Sequence, residues 1–375
     1  MLRTSLAALC ALLSGLVYGE DAQVPAPPRV GFDNYYLVDY ASDRVLAAGA
    51  ADEPVPPASV TKLMTAYGVF KALEAGALDL HEEVPVSVRA WRTGGTRMFI
   101  DVNSRVAVED LIRGMLIQSG NDASVALAER ISGSVEAFVE RMNSTAAALG
   151  MRNSVFRNPT GLPARGHVTT AHDLAIVAKA IIKEFPAYYG LYSEREFSYN
   201  GIKQYNRNAL LARDPSVDGM KTGHTEAAGY CLVTSAQRDG MRLIAVVLGA
   251  KTPKARNDGA QKLLDYGFAN YETHKLYAAG QELGAAQVAG GSPAAAGLGV
   301  ARDLYVTIPR GSYGDLLASM DVGKALVAPV AQGTAVGAVD VSLGGQHLSH
   351  ATLVTLKPVA EGGVWTKLVG TLGLE

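Results

Sequence analysis

Pro57-Ala58-Ser59-Val60-Thr61-Lys62-Leu63-Met64-Thr65-Ala66 places a serine three residues before a lysine, at the head of an apolar run. If a helix begins at Ser59, residues three apart share a face and the Lys62 amine lies within reach of the Ser59 hydroxyl. A serine hydroxyl is a weak nucleophile until a neighbouring base takes its proton, and a lysine amine can serve as that base. The start of a helix also offers unpaired backbone N–H groups, the donors an oxyanion needs. Taken alone the pair is short enough to occur by chance, with Ser59 an ordinary N-cap and Lys62 a solvated first-turn residue.

Working outward, the 375-residue chain is long enough for two domains, and 48% hydrophobic residues exclude a disordered polymer. A formal net charge of −2 gives no footprint for a nucleic acid or a strongly anionic membrane surface. Residues 1–19 read as a secretory signal peptide. Arg3 supplies the positive end, Leu6 to Val17 the apolar stretch, and Val17-Tyr18-Gly19 the cleavage site. The protein is expected to be exported, and its mature form keeps Cys231 as a lone cysteine, a buried strand residue without a disulfide.

Residues 20–29 form a proline-rich leader. From residue 30 to 273 the pattern predicts a mixed α/β domain. Tyr35–Val38 and Val45–Ala48 form a hairpin, and the Ser59–Lys62 helix continues through Leu73. Val84 to Asn103 reads as short strands and turns. Val108 to Ile117 is an amphipathic helix that breaks at Gln118-Ser119-Gly120-Asn121 before another begins near Asp122. Helices follow over Val135–Leu149 and Thr170–Lys183, with a loop at 156–166 between them. Gly229–Ala236 pairs with Arg242–Leu248 across a tight turn, and a helix over Asn257–Tyr271 closes the unit. Residues 274–358, rich in Ala and Gly and then in short apolar runs, predict a smaller all-β domain. Residues 359–375 form a short amphipathic tail.

Ser59-x-x-Lys62, Ser119-Gly120-Asn121 and Lys221-Thr222-Gly223 thus stand in sequence order, a combination far more specific than any one of them. On these motifs, with Asn206-Arg207-Asn208, Asp218-Gly219-Met220 and Ile308-Pro309-Arg310-Gly311 beside them, the chain resembles the low-molecular-mass penicillin-binding proteins. These are the serine-type D-alanyl-D-alanine carboxypeptidases. The likeness covers nearly the whole mature chain. It implies a β-lactamase/transpeptidase-like domain, whose central antiparallel sheet is flanked by helices, followed by the β domain. The implied reaction removes the terminal D-alanine from a peptidoglycan stem pentapeptide through an acyl-enzyme on Ser59, which β-lactam antibiotics would also acylate. Lys62 would be the base, Ser119 a proton relay, Asn121 an orienting amide, and Lys221 with Thr222 the grip on the substrate carboxylate. Gly223 belongs to the same strand, the backbone N–H groups of Ser59 and His224 would form the oxyanion hole, and Arg256 and Arg207 would add positive charge. No cofactor, metal or nucleic acid is implied.

Two departures are visible. Some members carry a histidine before Gly-Leu, associated with fast deacylation, where this chain has Thr160 in Asn158-Pro159-Thr160-Gly161-Leu162. The tail has Lys367 as its one basic residue. It predicts weak peripheral contact with the inner membrane, the alternative being a soluble periplasmic form or a tail packed on the β domain. Two other functions compete. One is a slow β-lactamase, turning penicillin over through a long-lived acyl-enzyme; fast hydrolysis of the glutamate-assisted kind would need a Glu-x-x-Leu-Asn segment, which is absent between Ser119 and Lys221. A non-catalytic peptidoglycan-binding scaffold would need no nucleophile. His347-Leu348-Ser349-His350 has loose metal-ligand spacing and reads as a solvated hairpin without further ligands.

Overall fold

Leu243 to Leu248 is an unbroken apolar run, and every one of its residues is 0% exposed. A strand can bury successive side chains only if both faces of its sheet are covered. That is the arrangement in the computed structural model, which describes residues 24–323 and 325–363. The strand Met241–Ala250 lies at the centre of a five-stranded antiparallel sheet. On one side it pairs with Tyr35–Asp39, which carries Val45–Gly49 outside it. On the other it pairs with Gly229–Arg238, which carries Val217–Thr225 as the edge strand. The N-terminal hairpin therefore completes a sheet made mostly by residues some two hundred positions later. Alternate side chains divide between two cores. Ile244, Val246 and Leu248 meet the helices Lys62–Glu74 and Ala171–Glu184, while Leu243, Ala245 and Val247 meet the helix Pro253–Asn270.

The helix Lys62–Glu74 runs through the larger core. Only Lys71 and Glu74 are exposed on it. A helix apolar almost all round belongs in an interior, where each buried Leu, Val or Phe contributes roughly 1.5–3 kcal/mol. Its first residue is thereby carried into the core. A 3₁₀ turn over Ala58–Thr61 leads in, with Ser59 half-buried.

The expectation for Val84 to Asn103 needs correction. A short helix, Val88–Arg92, forms there, capped by the Ser87 hydroxyl accepting from the Ala90 amide at 3.0 Å. The helix at Val108 is α only to Arg113 and then widens into a π turn over Gly114–Gln118, stopped by Ser119 at φ 70°. Gly161, at φ +86°, passes so close to the 3₁₀ turn that a Cβ placed on it would lie 1.8 Å from the Ala58 carbonyl oxygen. Gly161→Ala is expected to cost about 3 kcal/mol through backbone strain and this clash. Thermal unfolding measures it, and an unchanged midpoint would contradict the close approach.

Tyr271–Tyr277 pairs with Leu304–Pro309, and a six-stranded sheet follows in the order Leu316–Asp321, Ala335–Leu343, Gln346–Thr355, Ala295–Val300, Glu282–Ala289, Leu326–Val327. Leu298, Val300, Val306, Ile308, Val341 and Leu353 fill its core. The β domain is tied to the hairpin of the first sheet by Thr273, which donates to Asp39 at 2.8 Å, and by the Ser42–Thr307 hydroxyl pair at 2.6 Å. The reading of His347 and His350 as lacking a third ligand also needs correction, because Asp340 on the neighbouring strand lies against both. Among the described residues no helix is long and apolar enough to cross a membrane. The signal peptide expected at 1–19 lies outside the described residues, as does the expected tail beyond residue 363. The start of that tail needs correction, because Val359 bridges Val330 and Ala360–Glu361 pairs with Gly291–Ser292 in the β domain.

Candidate active site

The site grows from the start of the Lys62–Glu74 helix. Lys62 is 0% exposed, and its Nζ has three oxygen neighbours: Asn121 Oδ1 at 2.6 Å, the Thr160 carbonyl at 2.7 Å and Ser59 Oγ at 3.1 Å. Burial holds the Lys62 amine well below the usual lysine range. Lys221 and Arg207 add to this, and only Asp122 opposes it. A neutral amine has two N–H groups and one lone pair. The amide and carbonyl oxygens can only accept, so they take both N–H groups and leave the lone pair facing the Ser59 hydroxyl.

Each neighbour is fixed in turn. Asn121 opens the helix Asn121–Ser132, and its Nδ2 donates to the Gly94 carbonyl at 2.7 Å. Asp122 beside it is buried and accepts from the amides of Met98 and Phe99 at 3.0 Å, pinning the loop that carries Gly94. The Thr160 carbonyl is aimed by Asn158, whose Oδ1 accepts from Thr160 N at 3.1 Å, Thr160 Oγ1 at 2.8 Å and Gly161 N at 2.8 Å. Asn158 Nδ2 faces His167 Nδ1 at 3.3 Å, and His167 Nε2 faces Thr61 Oγ1 at 3.2 Å. An amide nitrogen can only donate, so His167 accepts through Nδ1 and turns its one hydrogen toward Thr61. Burial, with Arg157 nearby, pushes His167 down to about 4, which keeps it neutral.

This chain of contacts separates two substitutions. Thr160→Ala keeps the carbonyl and is expected to change acylation by less than about threefold. Asn158→Ala frees the turn and is expected to slow it about 10- to 100-fold, as misplacing a reacting group does. Stopped-flow acylation compares them, and equal rates would contradict the carbonyl's part.

The Lys221-Thr222-Gly223 edge strand closes the other wall. Lys221 is buried and lowered to about 7, first by burial and then by Arg207 and Arg256. Arg256 is buried and Arg207 is exposed at the cavity rim, and desolvation lowers both. Among the described residues no carboxylate pairs with any of these three cations. Gly223 lets the strand approach Ser59, since a Cβ there would sit 2.9 Å from the Ser59 nitrogen. His224 is exposed and stacks on Tyr230 at 3.9 Å. Ser119 is buried, and its Oγ has no hydrogen-bond partner among the described residues. Ser59, Ser119, Arg207, Thr222, Gly223, His224 and Arg256 all line one cavity of about 370 Å³, which Thr96, Tyr230 and Pro253 complete. Lys62, Asn121 and Lys221 stand behind this lining.

The structure thus brings every sequence-predicted site residue to one place. The sequence reading did not assign parts to the Thr160 carbonyl, Asp122, Asn158, His167 or Thr96. Gly161 was the available signal for the first, because a glycine after Asn-Pro-Thr permits the turn that exposes that carbonyl.

Residues 21–252 match the family model described as D-alanyl-D-alanine carboxypeptidase, and residues 271–361 match the penicillin-binding protein 5 C-terminal domain. The chain belongs to the D-alanyl-D-alanine carboxypeptidase family. Within it, the chain is 40% identical to the D-alanyl-D-alanine carboxypeptidase DacA of Escherichia coli, over 98% of this chain and 94% of that protein. Identity to the DacA of Haemophilus influenzae is 41%, over 97% and 94%. The crystal structure of penicillin-binding protein 5 from Haemophilus influenzae superposes with a TM-score of 0.87 at 42% identity, covering 90% of this chain and all of that one. Penicillin-binding protein D2 of Listeria monocytogenes, solved in its ampicillin-bound form, matches at TM-score 0.59 and 31% identity over 64% of this chain and all of that one.

Proposed function

We propose that this carboxypeptidase releases the terminal D-alanine of peptidoglycan stem pentapeptides through an ester on Ser59, and that β-lactams acylate the same oxygen. The observation that carries the reading is a buried amine against Ser59, held well below the usual lysine range, facing a cluster of cations that no described carboxylate pairs, across a cavity of about 370 Å³. Burying cations without a counter-charge is costly, and an anionic ligand offsets that cost. A peptide ending in D-alanine brings a carboxylate one residue from the bond to be cut, and penicillins bring one too.

In this reading Ser59 Oγ attacks the carbonyl carbon of the penultimate D-alanine as its proton passes to Lys62 Nζ. The backbone N–H groups of Ser59 and His224 take the oxyanion. The amide C–N bond breaks, and the leaving nitrogen gains a proton from Lys62 by way of Ser119, whose hydroxyl is otherwise unpartnered. Free D-alanine departs from the grip of Lys221, Thr222, Arg256 and Arg207. Water then attacks the ester and Ser59 is restored. Thr160 occupies the place of the family's deacylation-linked histidine, so the penicilloyl ester should be long-lived, as expected of a carboxypeptidase rather than a β-lactamase.

The finer placement is also proposed. Residues 1–19 direct export, the enzyme works in the periplasm, residues 30–273 catalyse, and residues 274–358 form the separate β domain. The tail beyond residue 363 adds weak contact with the inner membrane. The test is D-alanine release from a pentapeptide ending in D-Ala-D-Ala by wild type and Ser59→Ala. Release by wild type alone, blocked by prior penicillin, supports the reading. Equal background from both removes it and leaves the scaffold.

A further inference from the structure

The outer face of the β domain carries a group of side chains unrelated to the cavity above. Asp340 lies on the strand Ala335–Leu343, and His350, directly opposite it on Gln346–Thr355, places Nδ1 2.8 Å from Asp340 Oδ1. His347 places Nε2 3.3 Å from the same oxygen. In a regular strand, residues three apart point to opposite faces, so His347 would turn toward the core. It does not, because the ladder slips between Val341 and Ser342: Ser349 faces Val341, His347 faces Ser342, and Leu348 is the extra residue. The bulge lets Leu348 pack on the domain core while His347 stays outside beside His350.

The three ligand atoms all lie within 4.8 Å of one another, a spacing that one ion can bridge. We propose that Asp340, His347 and His350 form a binding site for a single divalent metal of the Zn²⁺ class. Two imidazoles and one carboxylate suit zinc and its borderline neighbours, whereas Ca²⁺ and Mg²⁺ prefer all-oxygen shells. Without metal, the carboxylate accepts an N–H from each ring. On binding, each ring moves its one hydrogen to the nitrogen that faces away from Asp340, and the nitrogen beside the carboxylate turns its lone pair to the ion. Three protein ligands leave at least one position for water, and all three side chains are reachable from solvent. The ion clips the hairpin across its bulge, and its open position can accept a ligand from another molecule.

The experiment titrates the full chain with Co²⁺ alone, read by its visible absorption, and then displaces it with Zn²⁺. One ion per chain is expected in wild type, with affinity lowered about 10- to 100-fold or more in His350→Ala and in Asp340→Asn. D-alanine release is expected to be unchanged in both variants, since neither residue lies at the cavity. Any of three results overturns the site: no saturable Co²⁺ binding, binding that survives His350→Ala unchanged, or displacement by Ca²⁺ as readily as by Zn²⁺.

Discussion

Lys62→Met is expected to slow acylation by penicillin by about 10³- to 10⁴-fold while leaving the protein at least as stable as wild type. The kinetic loss is the size expected when a positioned base is removed from a nucleophile that depends on it. Ser59 Oγ has Lys62 Nζ at 3.1 Å, and the amine's two N–H groups are spent on Asn121 and the Thr160 carbonyl, so among the described residues its lone pair is the base in contact with the Ser59 hydroxyl. The stability side follows from the sign of the shift. The Lys62 amine is held below its unfolded value, so between the folded and unfolded values the unfolded chain binds more protons and stability rises with pH. Burial of this amine therefore opposes folding most strongly at low pH and ceases to do so near pH 10. Methionine fills the same space without the amine. The variant's advantage in thermal unfolding should be present at pH 7 and shrink as pH rises toward 10. Near-wild-type acylation by this variant would remove Lys62 from the role of base.

Lys221→Ala is expected to lower kcat/KM for the D-Ala-D-Ala substrate by about 30- to 1000-fold, chiefly through binding, as loss of one partner of a buried charge pair does. The cation must be protonated to hold a carboxylate, and burial beside Arg207 and Arg256 lowers it to about 7 in the empty site. Lys62 must be neutral at the same time. The active form needs both conditions at once, so kcat/KM should fall above about pH 7 as Lys221 loses its proton. A bound carboxylate favours the charged lysine, so the alkaline limb of kcat should lie at higher pH than that of kcat/KM. Lys221→Arg keeps its charge and should lose this limb. A peptide ending in a carboxamide should be poor with wild type and lose little more with Lys221→Ala. An equal loss for acid and amide substrates would show that Lys221 does not read the carboxylate.

The sequence made legible what short-range physics decides. Ser59 and Lys62 are three apart, and a single helical turn suffices to bring them together. Gly229–Arg238 and Met241–Ala250 meet across a two-residue turn, and their apolar runs announce a sheet covered on both faces. Pairing of Tyr35–Asp39 with Met241–Ala250 was not legible, because no local signal links strands so far apart in the chain. Glu282–Ala289 and Ala295–Val300 were hidden by Ala and Gly, which seldom favour strands and here rely on packing. In the site, side chains with chemical character stood out, whereas the Thr160 carbonyl did not, since a backbone acceptor has no residue type to read. Asp122 acts through four backbone amides and left no pattern either. Asp340 was missed for a third reason: its partners lie across a bulge that reverses the face expected from spacing alone.

The central claim is that Ser59 carries the acyl group. Wild-type protein incubated with penicillin, analysed by intact mass and then by peptide mapping, tests it most directly. One penicilloyl adduct per chain is expected, confined to the peptide containing Ser59, absent from Ser59→Ala and slow to disappear after free penicillin is removed. An adduct on any other residue, or its persistence in Ser59→Ala, would contradict it.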